Sequence, residues 1–169
     1  MVQAHGEAVF RLAFLLLSDA AEAEDVAQET FVRAFRSLER FDRARPLRPW
    51  LMRITLNLSR NRRRSVARYL SALERWFRSE DRTMAGATSE TAGLAVSEAR
   101  SLRAAVDRLG QMDREIVYLR YFLGQGEAEA ATALGVPIGT VKSRLSRALG
   151  RLRAVVDAEY PELREALKA

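Results

Sequence analysis

A chain of 169 residues can bury one ordinary core or two small ones, and 48% hydrophobic with 30% charged residues is the mix of a folding chain, which excludes a wholly disordered one. The net charge of +6 rests almost wholly on arginine, Lys142 and Lys168 being the lysines, and so favours an anionic partner, nucleic acid ahead of a membrane surface. The absence of cysteine excludes disulfides and thiolate metal sites, and a single histidine, His5, leaves the common catalytic triads and zinc sites without their parts.

The first helical stripe is Val9, Phe10, Ala13, Phe14, Leu16 and Leu17. Its longest apolar run, LAFLLL at 12–17, is too short to span a bilayer, and no basic leader or small-residue cleavage pattern surrounds it. The expectation is a soluble, unexported, cytoplasmic chain without membrane insertion. His5 reads as a surface or helix-start residue. Asp19 is placed to cap a second helix, whose stripe is Val26, Ala27, Thr30, Phe31, Ala34, Phe35 and Leu38. The stretch RFDRARPLRP breaks the pattern, and Trp50, Leu51, Ile54 and Leu58 restart it as a third helix. Tyr69, Leu70, Leu73, Trp76 and Phe77 then share one helical face, either a last helix packed on the first domain or a docking surface.

Residues 79–93 are polar and small, without periodicity, which is linker chemistry. Four more helical stretches follow. The last two are separated by a turn in which Gly135 suits a left-handed C′ position and Pro137 an N1 position. Val141, Leu145, Ala148, Leu149 and Leu152 make the buried stripe of the final helix. Between Gly135 and Arg153 there are five basic residues and no acidic one, with Thr140, Lys142, Ser143 and Arg144 in the N-terminal half. In a helix-turn-helix that half meets base edges in the major groove, whereas Arg147, Arg151 and Arg153 are spaced for phosphates. A basic surface helix of a bundle is the alternative. The joint spacing of Ala131, Gly135, Pro137 and Val141 favours DNA binding.

The fold class expected is therefore all-α, with two small helical domains, 1–78 and 95–169, joined by a flexible linker at 79–94. The carboxylates make no inward-facing pair, so no catalytic site, metal or cofactor is expected.

Two separated motifs resemble a bacterial sigma factor of the extracytoplasmic-function type. DAAEAEDVAQETFVRAFRSLERF with RPWLMRITLNLSRNRRR is similar to sigma region 2, and REIVYLRYFLGQGEAEAATALGVPIGTVKSRLSRALGRLR is similar to region 4. The resemblance implies a subunit that binds core RNA polymerase through its β′ and β subunits, reads the minus-thirty-five element as duplex DNA and opens the minus-ten element. It also admits an anti-sigma protein as a partner, and leaves nucleotide chemistry to the polymerase. On the second helix Asp25, Gln28 and Glu29 share an outer face, which the resemblance assigns to core polymerase. On the third, Arg53, Asn57, Arg60 and Arg64 lie opposite the apolar stripe with Asn61 beside them. Six basic residues between Arg53 and Arg68 make a phosphate-binding surface, and the two amides suit exposed base edges of the minus-ten strand. The loop DRARPLR and the start of this helix are the expected supports for unstacked bases, with Trp50 read as core. Thr140, Lys142, Ser143, Arg144, Arg147 and Arg151 take the minus-thirty-five duplex.

Relatives usually carry a larger aliphatic residue where Ala130 stands and often a hydroxyl cap where Gly126 stands. The tail DAEYPELREALKA is expected to be too short for an added sensory domain. The runner-up reading is a duplex-binding helix-turn-helix regulator that is no part of a polymerase. It leaves the Asp25–Glu29 face and the basic third helix without a purpose.

Overall fold

The structure, a computed structural model, describes residues 1–77, 94–160 and 163, with side chains placed for 1–68, 100–160 and 163. Among the described residues the regular structure is entirely helical. It consists of α1 (Val2–Leu17), α2 (Ala20–Ser37), a short 3-10 turn (Leu38–Arg40), α3 (Leu47–Phe77), α4 (Leu94–Asp107), α5 (Gln111–Val117), a π turn (Tyr118–Phe122), α6 (Glu127–Leu134) and α7 (Ile138–Glu159). No helix among them is long and apolar enough to cross a membrane. The expected linker lies outside the described residues, except that its last position, Leu94, begins α4.

Asp19 caps α2 as its position predicts: its extended backbone stops the chain from α1, and its carboxylate accepts from the Glu22 amide at 2.8 Å. Replacing Asp19 with alanine should cost about 1 kcal/mol, read as a lowered urea midpoint with an unchanged slope. An unchanged midpoint would show that α2 starts without this bond. Ser18, the residue before it, closes α1 in the left-handed conformation, φ 63°.

The segment containing Tyr69–Phe77 is not a separate helix. It continues α3, which runs unbroken over 31 residues because nothing between Trp50 and Phe77 breaks a helix, Pro49 sitting in the first turn where its missing N–H costs nothing. The side chains of that extension lie outside the described residues.

The larger departure from expectation concerns the core. Val9, Leu12 and Leu16 of α1 and Leu51, Met52 and Leu56 of α3 belong to the same apolar cluster as Ile116, Val117, Leu119, Ala130, Val141 and Leu145. The halves bury this cluster between them, and each also keeps a smaller one of its own, Ala13, Ala23, Val26 and Leu58 in the first and Ala105, Val156 and Leu163 in the second. The contact is made chiefly by α6 lying on α3, with the π turn against α1. The smallness of α6 permits this. Ala130, Ala131 and Ala133 are all buried and bring the α6 backbone close to its neighbours, so the missing aliphatic at 130 is matched by close approach.

The π turn widens the helix after Val117, with the Leu123 amide bonding the Tyr118 carbonyl five residues back at 3.0 Å. Tyr118 is fully buried and its hydroxyl donates to the Asp107 carboxylate at 3.3 Å. Burial, and then that carboxylate, push its ionisation well above the ordinary tyrosine range.

Candidate nucleic-acid interface

The helix-turn-helix is built as its turn residues dictate. α6 ends at Gly135 with φ 70°. The Val136 amide reaches back to the Ala131 carbonyl at 3.1 Å, and Val136 packs on the core, the bond and apolar contact of a Schellman stop. Pro137 precedes α7 at its N-cap, one position earlier than expected, and its carbonyl accepts from the Thr140 amide at 2.9 Å. At the other end of α6, Gly126 has no side chain to cap with, yet its amide donates to Glu129 Oε2 at 2.8 Å, the backbone half of a capping box.

On α7, Val141, Leu145 and Ala148 are buried, Leu152 is half-buried and Leu149 is exposed. Lys142, Ser143 and Arg147 stand in solvent, while Thr140 is half-buried. Lys142 lies 3.5 Å from Glu127 of α6, an exposed pair of little energetic weight. Arg147 donates to the Ser143 carbonyl at 3.2 Å and Ser143 to that of Thr140 at 3.3 Å, so both stay along the helix surface. Arg144 and Arg151 differ from these. Both reach Asp113, a buried acid of α5, Arg144 at 3.9 Å and Arg151 by a direct hydrogen bond. Asp113 therefore holds Arg151 by a hydrogen bond and lies within ion-pair distance of Arg144.

On α3, Arg53, Asn57 and Arg64 are exposed and Arg60 is half-buried, with its Nη1 at 3.4 Å from the Asn57 Oδ1. Asn61 is exposed but turned toward α2, where it lines a groove with Asp25, Glu29 and Arg62. The structure thus puts Asn57 beside Arg60, leaves Arg53 at the Gly135 turn and the mouth of the Trp50 cleft, and sets Asn61 at the border between the α3 surface and the acidic face. Near the start of α3, Trp50 packs against Phe41 with ring centres 4.5 Å apart and the ring planes tilted by 32°. A cleft of about 400 Å³ opens between them, Arg40, Asp42, Arg45 and Arg53. Trp50 is half-buried and packs on the core, so it is both core and cleft wall.

On α2, Asp25 and Gln28 are exposed and Glu29 is half-buried, all on one side of the helix. Arg33 bonds Glu29 at 2.6 Å, and Arg62 of α3 bridges to Asp25 at 3.3 Å and to Glu22. Those carboxylates, Glu22 first, raise the Arg62 ionisation above its ordinary value.

Sequence reasoning missed the acids that organise this surface. Asp113 and Glu115 are 4% and 1% exposed, so each must be paired. Glu115 takes Arg60 of α3 in a fork, Nε to Oε1 at 2.9 Å and Nη2 to Oε2 at 2.5 Å, and also accepts from Gln111 at 3.0 Å. That fork raises the Arg60 ionisation despite partial burial. The available signal was the position of two acids inside the otherwise apolar period of QMDREIVYL.

Family models match both halves in order: Sigma-70 region 2 over residues 1–69 and Sigma-70, region 4, over residues 99–152. The chain is 34% identical over 165 residues to RNA polymerase sigma factor NccH of Alcaligenes xylosoxydans xylosoxydans, covering 94% of this chain and 86% of that one. It is 36% identical over 159 residues to ECF RNA polymerase sigma factor SigL of Mycobacterium tuberculosis, covering 88% and 82%. Among solved structures, CnrH in complex with the cytosolic domain of CnrY superposes with TM-score 0.68 at 29% identity, over 94% of this chain and 86% of that one. CnrH itself is a sigma factor of Cupriavidus metallidurans. Likeness that runs through both halves and across nearly the whole length, in the order of the two matched regions, shows that the chain belongs to the sigma-70 family of RNA polymerase sigma factors, in its extracytoplasmic-function branch.

Proposed function

We propose that this chain docks on core RNA polymerase in the cytoplasm through Asp25, Gln28 and Glu29, reads duplex minus-thirty-five DNA with α7, and holds the opened minus-ten strand on α3. The observation that carries the reading is the presence of two separate DNA-suited surfaces on one chain, the α7 face and the α3 face, beside an acidic third. A regulator of duplex DNA needs one of them. The cleft between Trp50, Phe41 and Arg53 has the aromatic wall and cation that suit an unstacked base. The nucleotide chemistry stays with the polymerase. A protein partner besides the polymerase belongs to the same reading, since the relative CnrH was solved in complex with the cytosolic domain of CnrY.

Run-off transcription with core polymerase and promoter fragments, with and without the chain, tests this proposal. Discrete transcripts that depend on the chain are expected, and their absence together with no core binding would leave the regulator reading. Within α7, Arg144→Ala and Arg147→Ala should differ in kind. Arg144, near the helix start and aimed by Asp113, should change base preference by about 1–3 kcal/mol. Arg147, exposed and further along, should weaken binding to all sequences alike and lower the salt slope by about one. Equal losses on every sequence from both variants would reverse these roles.

A further inference from the structure

We propose that Asp113 is a positioning residue for sequence preference: it ties Arg151 into a strut between α5 and α7 and steers Arg144 toward the base that it reads. Arg151 then serves to set α7 rather than to take a phosphate. This rests on the reading of α7 as the duplex-reading helix with Arg144 as a base contact.

A carboxylate at 4% exposure needs cations beside it, and Asp113 has two, both from α7. Residues 144 and 151 stand two turns apart, about 10.5 Å along the helix axis. They must lean toward each other to share one acid. Side chains on a helix lean toward its N-terminus, so Arg151 comes to the carboxylate in its natural direction and closes a hydrogen bond on Oδ2. Arg144 has to lean the other way, and its Nη1 stops 3.9 Å from Oδ1. That is an ion pair without a hydrogen bond. Arg151 is therefore fastened, whereas Arg144 is steered by the charge and keeps its donors for a partner outside.

The frame behind the acid is rigid. Ile116 and Val117 of α5 share the apolar cluster of Val141, Leu145 and Ala148 of α7, and Asp113 stands in the first turn of α5, where the helix dipole favours a negative charge. A buried acid paired with cations gives little stability over a well-packed apolar residue, so what this one contributes is direction. An arginine held near its bound pose loses less freedom on meeting the base, and a bidentate base contact depends on that pose. One negative charge against two positive ones leaves the face cationic toward DNA.

The full chain bound to core polymerase, on a duplex promoter fragment and on the same fragment with its minus-thirty-five element scrambled, provides the test. Asp113→Asn, nearly isosteric, should lower the preference for the promoter by about tenfold, part of what a bidentate base contact discriminates. Its affinity for the scrambled fragment should be no lower than that of Glu159→Gln, an exposed acid paired with Arg108 that makes the same change in net charge. Arg151→Ala should lose preference likewise and leave the salt slope unchanged, whereas loss of a phosphate contact would lower the slope by about one. Arg151→Lys, which keeps a cation beside Asp113, should recover most of the preference. In an Arg144→Ala background, Asp113→Asn should change the preference no further.

An Arg144→Ala chain with its base preference intact removes the reading of Arg144, and the role of Asp113 with it. Preference lost in Arg144→Ala but kept in Asp113→Asn and Arg151→Ala overturns the role of Asp113 and leaves that reading standing. So does a salt slope lowered by Arg151→Ala, or an equal loss on promoter and scrambled fragments in Asp113→Asn, the mark of a merely structural acid. Should Asp113→Asn fail to fold by circular dichroism, Arg151→Ala and Arg151→Lys, at an exposed position, decide by preference and salt slope.

Discussion

Reversing Asp25 and Glu29 to arginine should abolish binding to core polymerase and leave the fold nearly intact. The exposed pairs lost, Asp25 with Arg62 and Glu29 with Arg33, are of the kind that contributes at most about 1 kcal/mol. The gain is two positive charges beside Arg33 and Arg62, on a face proposed to meet a basic polymerase surface. Like-charge apposition at an interface costs several kcal/mol, so the loss of affinity measured by fluorescence anisotropy should exceed a hundredfold. Circular dichroism should be unchanged, and the full-length variant should keep its affinity for duplex promoter fragments. The full chain is the proper object because both halves share a core. Normal core binding by the reversed protein would place the docking face elsewhere.

Replacing Asn57 and Asn61 by alanine together should depress open-complex formation on a duplex promoter by about two orders of magnitude, if each amide holds a base edge at about 1–3 kcal/mol. Both side chains are exposed, so the change should not disturb packing. Permanganate reactivity of unpaired thymines should fall, and a promoter with a pre-opened minus-ten region should recover part of it. Normal footprints would move base recognition to another surface. The singles should also separate, because Asn57 lies beside Arg60 whereas Asn61 borders the acidic groove.

What could be read without coordinates was local. The Asp19 cap, the left-handed stop at Gly135 and, within the stripe expected on α7, Val141, Leu145 and Ala148 each follow from a residue's own backbone or rotational preference and stand where expected, whereas Leu152 of that stripe is half-buried and Leu149 is exposed. Periodicity also identified an apolar face on the first three helices and the last. It could not say against what that face would lie. Leu51 and Met52 look as suited to a core of their own half as to one shared with Ile116 and Ala130, and the choice is settled by the shapes of two distant segments. The same blindness hid Glu115. From the sequence it is one more acid on a helix, and its meaning comes entirely from Arg60, fifty-five positions earlier. The end of α3 was misjudged for a different reason. The face shared by Tyr69, Leu70, Leu73, Trp76 and Phe77 reads as a last helix of its own, but without a glycine, a proline or a cap there is no physical cause for α3 to stop before it.

The widened turn at Tyr118–Phe122 carries one residue more than an α-helix would use to cover the same rise. Each residue of a helix turns the chain by about 100°, so that surplus residue sets the heading of everything after it, leaving Leu119 inward and Tyr121 outward at 60% exposure. The aim of α6 and α7 is therefore a property of segment length. A single deletion within 118–122 would let the helix run regular and swing the DNA-reading unit around its axis with every contacting side chain still present. Substitutions there should be tolerated according to size; a change in number should not.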